Sequence, residues 1–445
     1  CLIVGLPLGG LIFIRMEGQA PELTVDLVSE SIGASQTIPI SVSDTKSGIR
    51  MLWVALYKDG RETVLFNETL PARGFARGGD QLTKHYQIIV EPRKVGLSDG
   101  QALLRVVARD HSWRHLGHGN KTYLEKEILI DTVAPQISMM SHVHNISQGG
   151  TGLVLYSLSE TCPVSGVVVG DSFFPGYPGP FADKSIHLAF MALKQDQAAD
   201  TDIHVKAVDS AGNASQKGFH FYLKKRNFKK ETIRLSDGFF RRKLPEFANT
   251  IPPQVGASSV DRFLYVNREI RAQNYRTISA LVDTSDPNIY WNKAFLRLPG
   301  SAKKAGFGDR RAYMYQGQVI DRQVHLGIDL ASTAHSPVPA ANQGKVIFAD
   351  NLGIYGQAVV IDHGYGVFSM YAHLSRVDVT PGTVVKKGAI IGTTGMTGMA
   401  GGDHLHFSML IHNTFVNPRE WWDLAWIQNN ITSKIERVEA SVQSS

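Results

Sequence analysis

Hydrophobic and polar residues alternate along most of the first half of the chain. Short alternating runs extend from about Ala20 to Lys225 and are separated by Gly, Asp, Asn and Pro. A period of two predicts β-strands with one buried face, and frequent turn residues between short strands indicate β-sandwiches. Two of the clearest strands, 103–110 and 202–209, both end in Ala-x-Asp. This half is therefore expected to be all β.

The segment 128–135 reads ILIDTVAP, in which a last strand ends and a proline follows. It resembles the join between tandem bacterial immunoglobulin-like domains. We therefore expect two immunoglobulin-like sandwiches, at 20–135 and 136–228. A fold of this kind does not specify a function.

The pattern changes after residue 228. Residues 229–300 are predicted to form a basic and helical linker or regulatory segment. Ser258 and Asp261 make a capping box, and apolar residues recur at helical spacing, which predicts a helix from Ser258 to Val282. The apolar residues of this helix are Phe263, Val266, Ile270 and Ile278.

Residues 301–425 are predicted to form a mostly antiparallel β domain, followed by a C-terminal tail at 426–445. Runs of strand composition separated by glycine-bearing turns support this prediction, and they are 344–348, 357–361, 366–372 and 389–391. The expected fold class of the whole chain is thus mainly β.

Three short pieces of the C-terminal domain carry candidate chemistry: HLGID (325–329), YAHLS (371–375) and DHLHF (403–407). Side chains two apart on a strand project to the same face, so His404 and His406 are expected to lie together, roughly 7 Å apart. One of them can bind a metal while the other reaches a group beside it.

The HLGID piece offers a second nitrogen ligand, His325, and a carboxylate, Asp329, with Gly327 between them. Two imidazoles and one carboxylate suit zinc, and three protein ligands leave a fourth position for water. His373 and His404 then remain as imidazoles for acid/base chemistry or oxyanion stabilisation.

These pieces, with the Gly395–Gly398 loop, resemble the lysostaphin-type (LytM-like, M23) zinc metallopeptidases, which cut peptide cross-links of bacterial cell walls. The resemblance covers Phe307 to Pro418, in the last third of the chain. It implies zinc on His325, Asp329 and His406, with His373 and His404 catalytic. We expect His404 to act as the base and His373 to stabilise the oxyanion, although the two roles could be exchanged.

The resemblance implies peptidoglycan as the substrate. A D-alanyl to diaminopimelate bond is expected for a Gram-negative source, and glycine bridges become an alternative for a Gram-positive one. Residues 1–19 begin with an apolar run shorter than the about 20 residues that span a bilayer. They are predicted to be a truncated anchor or signal segment, with a lipidated Cys1 as the alternative. The protein is then expected to be periplasmic or extracytoplasmic, attached to the cytoplasmic (inner) membrane.

Composition changes this picture little. The chain is 43% hydrophobic and 19% charged, with a formal net charge of +6, which is ordinary for a folded protein. Basic clusters with interleaved phenylalanines lie within 224–243. A solvated linker that also faces anionic lipid or wall polymer is favoured there, and nucleic acid is not an expected partner. Cys162 is the only cysteine besides Cys1, so no disulfide framework is expected.

Other histidines are weaker candidates. The loop with His111, His115 and His118 and the pair His142 and His144 lack a nearby carboxylate set, and metal binding there is not favoured. Three histidines outside the motif pieces are expected to be supporting or surface groups, namely His335, His363 and His412. Tyr355 is expected to line the cleft.

Two alternatives remain open. The chain could be a non-catalytic LytM-like regulator of another wall hydrolase, although such members typically lose zinc ligands and none is missing here. It could also be a latent peptidase whose cleft is occluded by residues 229–300. The two sandwiches are expected to be spacers that carry the active site from the membrane to the wall, or binding modules for a regulatory protein partner.

Overall fold

The computed structural model describes residue 12, residues 15–74 and residues 78–443. The chain divides into two compact units. The first is Cys1–Gln136 with Glu160–Pro163 and Val208–Ser215, and the second is Ile137–Ser159, Val164–Ala207 and Gln216–Ser445. Most of the predicted anchor or signal segment lies outside the described residues. Within the described residues, no helix combines the length and the apolar character needed to cross a membrane.

The first unit contains two sheets that share one hydrophobic core. One sheet has the strand order β1-β3-β6 and the other β2-β8-β7-β4-β5. Residues such as Ile40, Val54 and Val106 alternate along their strands with more exposed positions and are fully or almost fully buried. The strands are β1 (Glu22–Val25), β2 (Ser31–Ile32), β3 (Gln36–Ser43), β4 (Ile49–Lys58), β5 (Arg61–Thr69), β6 (Thr83–Val90), β7 (Gly100–Asp110) and β8 (Lys121–Ile130). A 3₁₀ turn, Pro92–Val95, precedes β7.

The second unit begins with another set of short strands. A four-stranded sheet has the order β14-β15-β11-β9, and β12 pairs with β13 antiparallel. The strands are β9 (Ile137–Met139), β10 (Asn145–Ser147), β11 (Thr151–Leu158), β12 (Val164–Val169), β13 (Ser172–Pro175), β14 (Tyr177–Pro178), β15 (Ile186–Ala192), β16 (Ile203–Val208), β17 (Ala214–Gly218) and β18 (Tyr222–Lys224). The strands predicted at 103–110 and 202–209 are confirmed as β7 and β16. The immunoglobulin-like assignment stays a prediction.

The segment 229–300 contains one strand and several helices. The predicted helix is confirmed, because the Ser258 side chain accepts a hydrogen bond from the Asp261 N–H and the helix continues to Leu281. One π-helical turn, Val266–Ile270, interrupts it. The elements are β19 (Lys230–Arg234), α1 (Asp237–Lys243), a 3₁₀ turn (Leu244–Phe247), α2 (Ser259–Tyr265) and α3 (Arg271–Leu281).

The C-terminal domain is built on an eight-stranded sheet with the order β20-β23-β31-β27-β26-β25-β29, and β32 pairs with β31. All these pairs are antiparallel, which confirms the prediction of a mainly antiparallel domain. The strands are β20 (Ala302–Ala305), β21 (Arg310–Tyr315), β22 (Gln318–Val324), β23 (Ile328–Ala331), β24 (Pro337–Pro339), β25 (Gly344–Asn351), β26 (Gln357–Asp362), β27 (Val367–Leu374), β28 (Arg376–Val377), β29 (Val384–Val385), β30 (Ile390–Thr393), β31 (Leu405–Ile411) and β32 (Thr414–Val416).

Smaller elements complete this domain. A three-stranded sheet has the order β19-β21-β22, and another has the order β24-β30-β28. Helical segments follow the last strand, and they are α4 (Pro418–Trp422), α5 (Leu424–Ile427), a π turn (Gln428–Thr432) and α6 (Ser433–Gln443). A 3₁₀ turn, Gly353–Tyr355, precedes β26. Every residue of β27 and β31 is buried, so the centre of the large sheet is a rigid floor for the site.

Candidate metal centre and catalytic cleft

Three potential metal ligands converge on the central sheet. Antiparallel pairing of β23 with β31 places Asp329 directly opposite His406. His325 Nε2 lies 3.0 Å from Asp329 Oδ1 and 3.0 Å from His406 Nδ1, and His406 Nδ1 lies 2.9 Å from Asp329 Oδ1. The structure thus brings together the three residues that the sequence nominated as ligands.

Hydrogen bonds outside this triangle orient each ligand toward its centre. His325 Nδ1 donates to the Gly306 carbonyl at 2.8 Å, which leaves the Nε2 lone pair facing inward. Ser408 Oγ donates to the Leu326 carbonyl and lies 3.0 Å from His406 Nε2, so that ring donates to Ser408 and presents Nδ1 inward. Supporting hydrogen bonds of this kind fix the tautomers of metal-binding histidines. The donor set therefore fits a divalent metal.

Gly327 is required by close packing beneath His406. A Cβ atom on this residue would lie 2.5 Å from His406 Nε2 and 2.7 Å from Ser408 Oγ. Both separations are far below normal van der Waals contact. Any side chain at position 327 would therefore displace a ligand.

His373 and His404 stand beside the ligands. The His373 ring centroid lies 4.9 Å from that of His404 and 5.8 Å from that of His406. His373 Nδ1 donates to the Thr397 carbonyl at 2.9 Å, and His404 Nδ1 donates to the Gly402 carbonyl at 2.8 Å. Each ring therefore keeps Nε2 for other chemistry, and His404 Nε2 lies 3.6 Å from Asp329 Oδ1.

His373 is held in an unusual backbone conformation. Its φ is +63°, in the left-handed region that non-glycine residues rarely adopt. Such strained residues concentrate at functional sites, where surrounding contacts hold them in place. Burial, together with the nearby His404 and His406, lowers the pKa of His373 well below its usual range.

The carboxylate of Asp329 is strongly stabilised in its charged form. Burial alone would raise its pKa, but interaction with the surrounding imidazoles of His325, His404 and His406 lowers the pKa well below the usual range. A permanently ionised carboxylate is the form that binds a metal.

Arg311 was missed by reasoning from sequence. Its Nη2 lies 2.9 Å from Asp329 Oδ2, and its Nε lies 3.2 Å from Glu231 Oε2. The guanidinium thus links the carboxylate of the proposed ligand to the segment 229–300. No motif marks this contact, because it joins residues from different parts of the chain.

The cavity at this site is small and is partly walled by the segment 229–300. It has a volume of about 230 Å³, and its wall includes Ile233, Leu235, Phe239 and Asn267 from that segment together with Asp329, His373, His404 and His406. An adjoining cavity of about 60 Å³ reaches His325 and is lined by Tyr355. The prediction that Tyr355 lines the cleft is confirmed.

The remaining histidines lie apart from this centre. Among the described residues, the groups able to hold a metal ion include no member of the 111–118 loop or of the His142 and His144 pair. His335 is exposed. His363 and His412 are buried instead of lying at the surface, with His363 Nδ1 donating to the Gln343 carbonyl at 2.6 Å.

Comparison with known families agrees with this geometry. The sequence profile of peptidase family M23 matches residues 323–418, a range that includes all five proposed site residues. The C-terminal part of the chain is a peptidase M23 domain. The matched range contains the converging ligands and every strand of the large antiparallel sheet except β20.

Three proteins are similar to about a third of this chain or less. Peptidoglycan DD-endopeptidase ShyC of Vibrio cholerae is 34% identical over 151 residues, which are 32% of this chain and 34% of ShyC. DD-carboxypeptidase/endopeptidase Mpg of Neisseria gonorrhoeae is 42% identical over 96 residues, 22% of each chain. The catalytic domain of lysostaphin from Staphylococcus simulans aligns at 28% identity with a TM-score of 0.25, over 29% of this chain and 98% of that one. The chain thus matches about a third or less of the length of ShyC and Mpg.

Proposed function

We propose that this protein is a zinc-dependent endopeptidase that hydrolyses peptide cross-links of peptidoglycan. The observation that carries the proposal is the convergence of His325, Asp329 and His406 within 3.0 Å of one another, with two further imidazoles alongside. The M23 domain and the names of its relatives, ShyC and Mpg, support peptidoglycan as the substrate.

His325, Asp329 and His406 would hold the zinc, and the set of two imidazoles and one carboxylate is typical of catalytic zinc sites. A zinc ion bound there supplies Lewis-acid polarisation of the scissile carbonyl and lowers the pKa of water. The remaining chemistry belongs to the two imidazoles beside the ligands.

His404 and His373 are the proton-transfer and charge-stabilising groups. Each ring is anchored at Nδ1 by a backbone carbonyl, so each offers Nε2 to the reacting atoms. We assign proton removal from the attacking water to His404 and stabilisation of the developing oxyanion to His373. Their similar anchoring leaves an exchange of the two roles open.

Digestion of purified peptidoglycan by the full chain tests this proposal. Wild type and a His335→Ala control, altered at an exposed histidine, should release uncross-linked muropeptides, whereas His404→Ala should not. Metal analysis should find about one zinc per chain in all three proteins. Undiminished cleavage by His404→Ala would contradict the assignment.

Latency is a second candidate property, favoured by contacts between the segment 229–300 and the Gly395–Gly398 loop. Glu246 Oε2 accepts a hydrogen bond from the Gly398 N–H at 2.8 Å, and the buried Lys243 ammonium donates to the Met396 carbonyl. Ligand pockets usually measure about 300–1,000 Å³, so a cavity of about 230 Å³ is small for a cross-linked peptide. We propose that this segment restricts the cleft until it moves.

The latency proposal predicts that loosening these contacts raises activity. Glu246→Ala removes the acceptor of the Gly398 N–H, and the full-length variant should digest peptidoglycan faster than wild type. Glu269→Ala is a matched control, because it alters an exposed acid of the same segment. Equal or lower rates for Glu246→Ala, at unchanged zinc content, would contradict latency.

We further propose that the protein acts outside the cytoplasm, since peptidoglycan lies there, with residues 1–19 as the attachment to the cytoplasmic membrane. Protease added to cells whose outer layers have been opened should then degrade the protein while cytoplasmic markers survive. Full protection of the protein would contradict this location.

A further inference from the structure

The three-stranded sheet β19-β21-β22 presents an array of cations on one face. Register pairs Lys230 with Arg310 and Ala312 with Arg322, and residues paired across strands share a face. Arg234 lies on the same face, because it is four residues from Lys230 on β19. We call Lys230, Arg234, Arg310 and Arg322 the basic face. All four side chains are exposed. A groove of about 680 Å³ is lined by Lys230, Arg310 and Arg322, together with the ion-paired Glu231 and Arg311.

The acidic residues of the same strands are already paired, including Glu231, which also lines the groove. Glu231 contacts Arg311, and the buried Asp321 accepts hydrogen bonds from Arg268 and Asn267. Among the described residues, no ion pair involves a member of the basic face. Neighbouring cations on one face of a sheet repel each other, and a bound polyanion relieves that repulsion.

The positive surface continues beyond the basic face. The Arg310 N–H donates to the carbonyl of Lys229, a residue that lines a second groove of about 440 Å³, at 2.8 Å. Lys229 and Lys303 line this second groove. The one acid among its lining residues, Asp309, is buried and accepts a hydrogen bond from the Gly306 N–H. Both grooves are therefore lined by cations, which suits an extended anionic chain.

One face of this sheet lines the catalytic cavity, and the other carries the basic face. Ile233, Arg311 and Tyr313 line the catalytic cavity. Residues adjacent to them in sequence, such as Arg310, project to the basic face. A polymer bound on the basic face would consequently be held one sheet thickness from the catalytic cavity.

We propose that the basic face docks peptidoglycan strands through the carboxylates of their stem peptides, at a site separate from the catalytic cleft. This inference rests on the proposed function. Guanidinium groups bind carboxylates by paired hydrogen bonds, and the basic face carries three arginines. Positions between these cations are occupied by Thr232, Ala312 and Val324, so the face offers no aromatic platform for stacking nucleic-acid bases.

Co-sedimentation with purified peptidoglycan sacculi tests the proposal. Full-length His404→Ala, which would bind without digesting, is compared with the same protein carrying Lys230→Glu, Arg310→Glu and Arg322→Glu. A matched control carries Lys46→Glu, Arg61→Glu and Lys217→Glu, which removes the same charge at exposed residues elsewhere. The basic-face variant should bind about tenfold more weakly or worse at low salt, and the control should bind nearly as His404→Ala does. Zinc content and melting temperature verify that both variants fold.

Two results would overturn the proposal. One is equal sedimentation of the basic-face variant and the control. The other is that His404→Ala binds phosphatidylglycerol vesicles and not sacculi, and that the basic-face variant loses this vesicle binding. The partner would then be a membrane. Cleavage of a soluble cross-linked muropeptide dimer by the wild type is measured separately. If the wild type does not cleave the dimer but sacculus binding still depends on the basic face, the proposed endopeptidase activity is refuted and the proposed docking site is supported.

Discussion

Substitution of Gly327 by alanine should weaken zinc binding, although residue 327 is not itself a proposed ligand. The added Cβ would lie 2.5 Å from His406 Nε2 and 2.7 Å from Ser408 Oγ. Carbon atoms in contact prefer about 3.5–4.0 Å, so the imidazole and the hydroxyl must each retreat by roughly 1 Å. Metal sites tolerate deviations of only about 0.2 Å in their ligand distances.

The size of the effect follows from what this movement breaks. The 3.0 Å contact between His406 Nε2 and Ser408 Oγ orients the ring, and a retreat of the ring would remove that support and shift Nδ1 away from its partners. Loss of such an orienting contact typically costs about 10–100-fold in metal affinity. We therefore expect Gly327→Ala to bind zinc about 10–100-fold more weakly than wild type.

Competition with a fluorescent zinc chelator measures this change directly. Gly401→Ala is the matched control, because a Cβ there meets no atom within 4 Å although the residue lines the same cavity. Circular dichroism verifies that both variants fold. Equal zinc affinities for folded Gly327→Ala and Gly401→Ala would refute this account of how the site is held.

Further predictions concern other parts of the second unit. Burial raises the pKa of Glu420 from 4.5 to about 7. Between these two pKa values the Glu420 carboxyl takes up a proton on folding, so its contribution to stability is complete below pH 4.5 and is lost as the pH rises through 7. Glu420→Gln should therefore remove about 3 kcal/mol of the pH dependence of the unfolding free energy. Chemical unfolding between pH 4 and 8 measures this change. An unaltered pH dependence of stability in Glu420→Gln would contradict the raised pKa of Glu420. Arg311→Gln should weaken zinc binding about tenfold, since Asp329 loses its orienting partner, and chelator competition would detect this. His373→Ala should lose cleavage but keep about one zinc per chain. A metal content near zero would contradict the assignment of His373 as a catalytic group and not a metal ligand.

Local signals in the sequence predicted the elements that depend on near neighbours. The helix beginning after Ser258 was recognisable because its cap and its apolar spacing are contained within one stretch. The strand carrying His406 was recognisable from its composition, although the strand begins at Leu405 and His404 is held by a bridge to Gly395. The proposed ligands could be nominated because their residue types stand in short motifs.

Features made by distant parts of the chain could not be predicted. The contact of Arg311 with Asp329 arises from two strands of different sheets, and the walls of the cavity at Leu235 and Phe239 come from a segment with no recognisable motif. His363 was expected to be a supporting or surface group, and its partner, the Gln343 carbonyl, could not be named because tertiary packing sets that contact. The basic residues of the basic face can be read from the sequence, but their position on one face follows only from the register of the paired strands.

Titration of zinc into the metal-free full-length protein, with cleavage of a soluble cross-linked muropeptide dimer as the readout, tests the central claim most directly. We predict no cleavage without metal and a rise to a plateau at about one zinc per chain, with the same titration of His406→Ala remaining flat. Cleavage that persists without zinc, or that is fully retained in His406→Ala, would contradict the account.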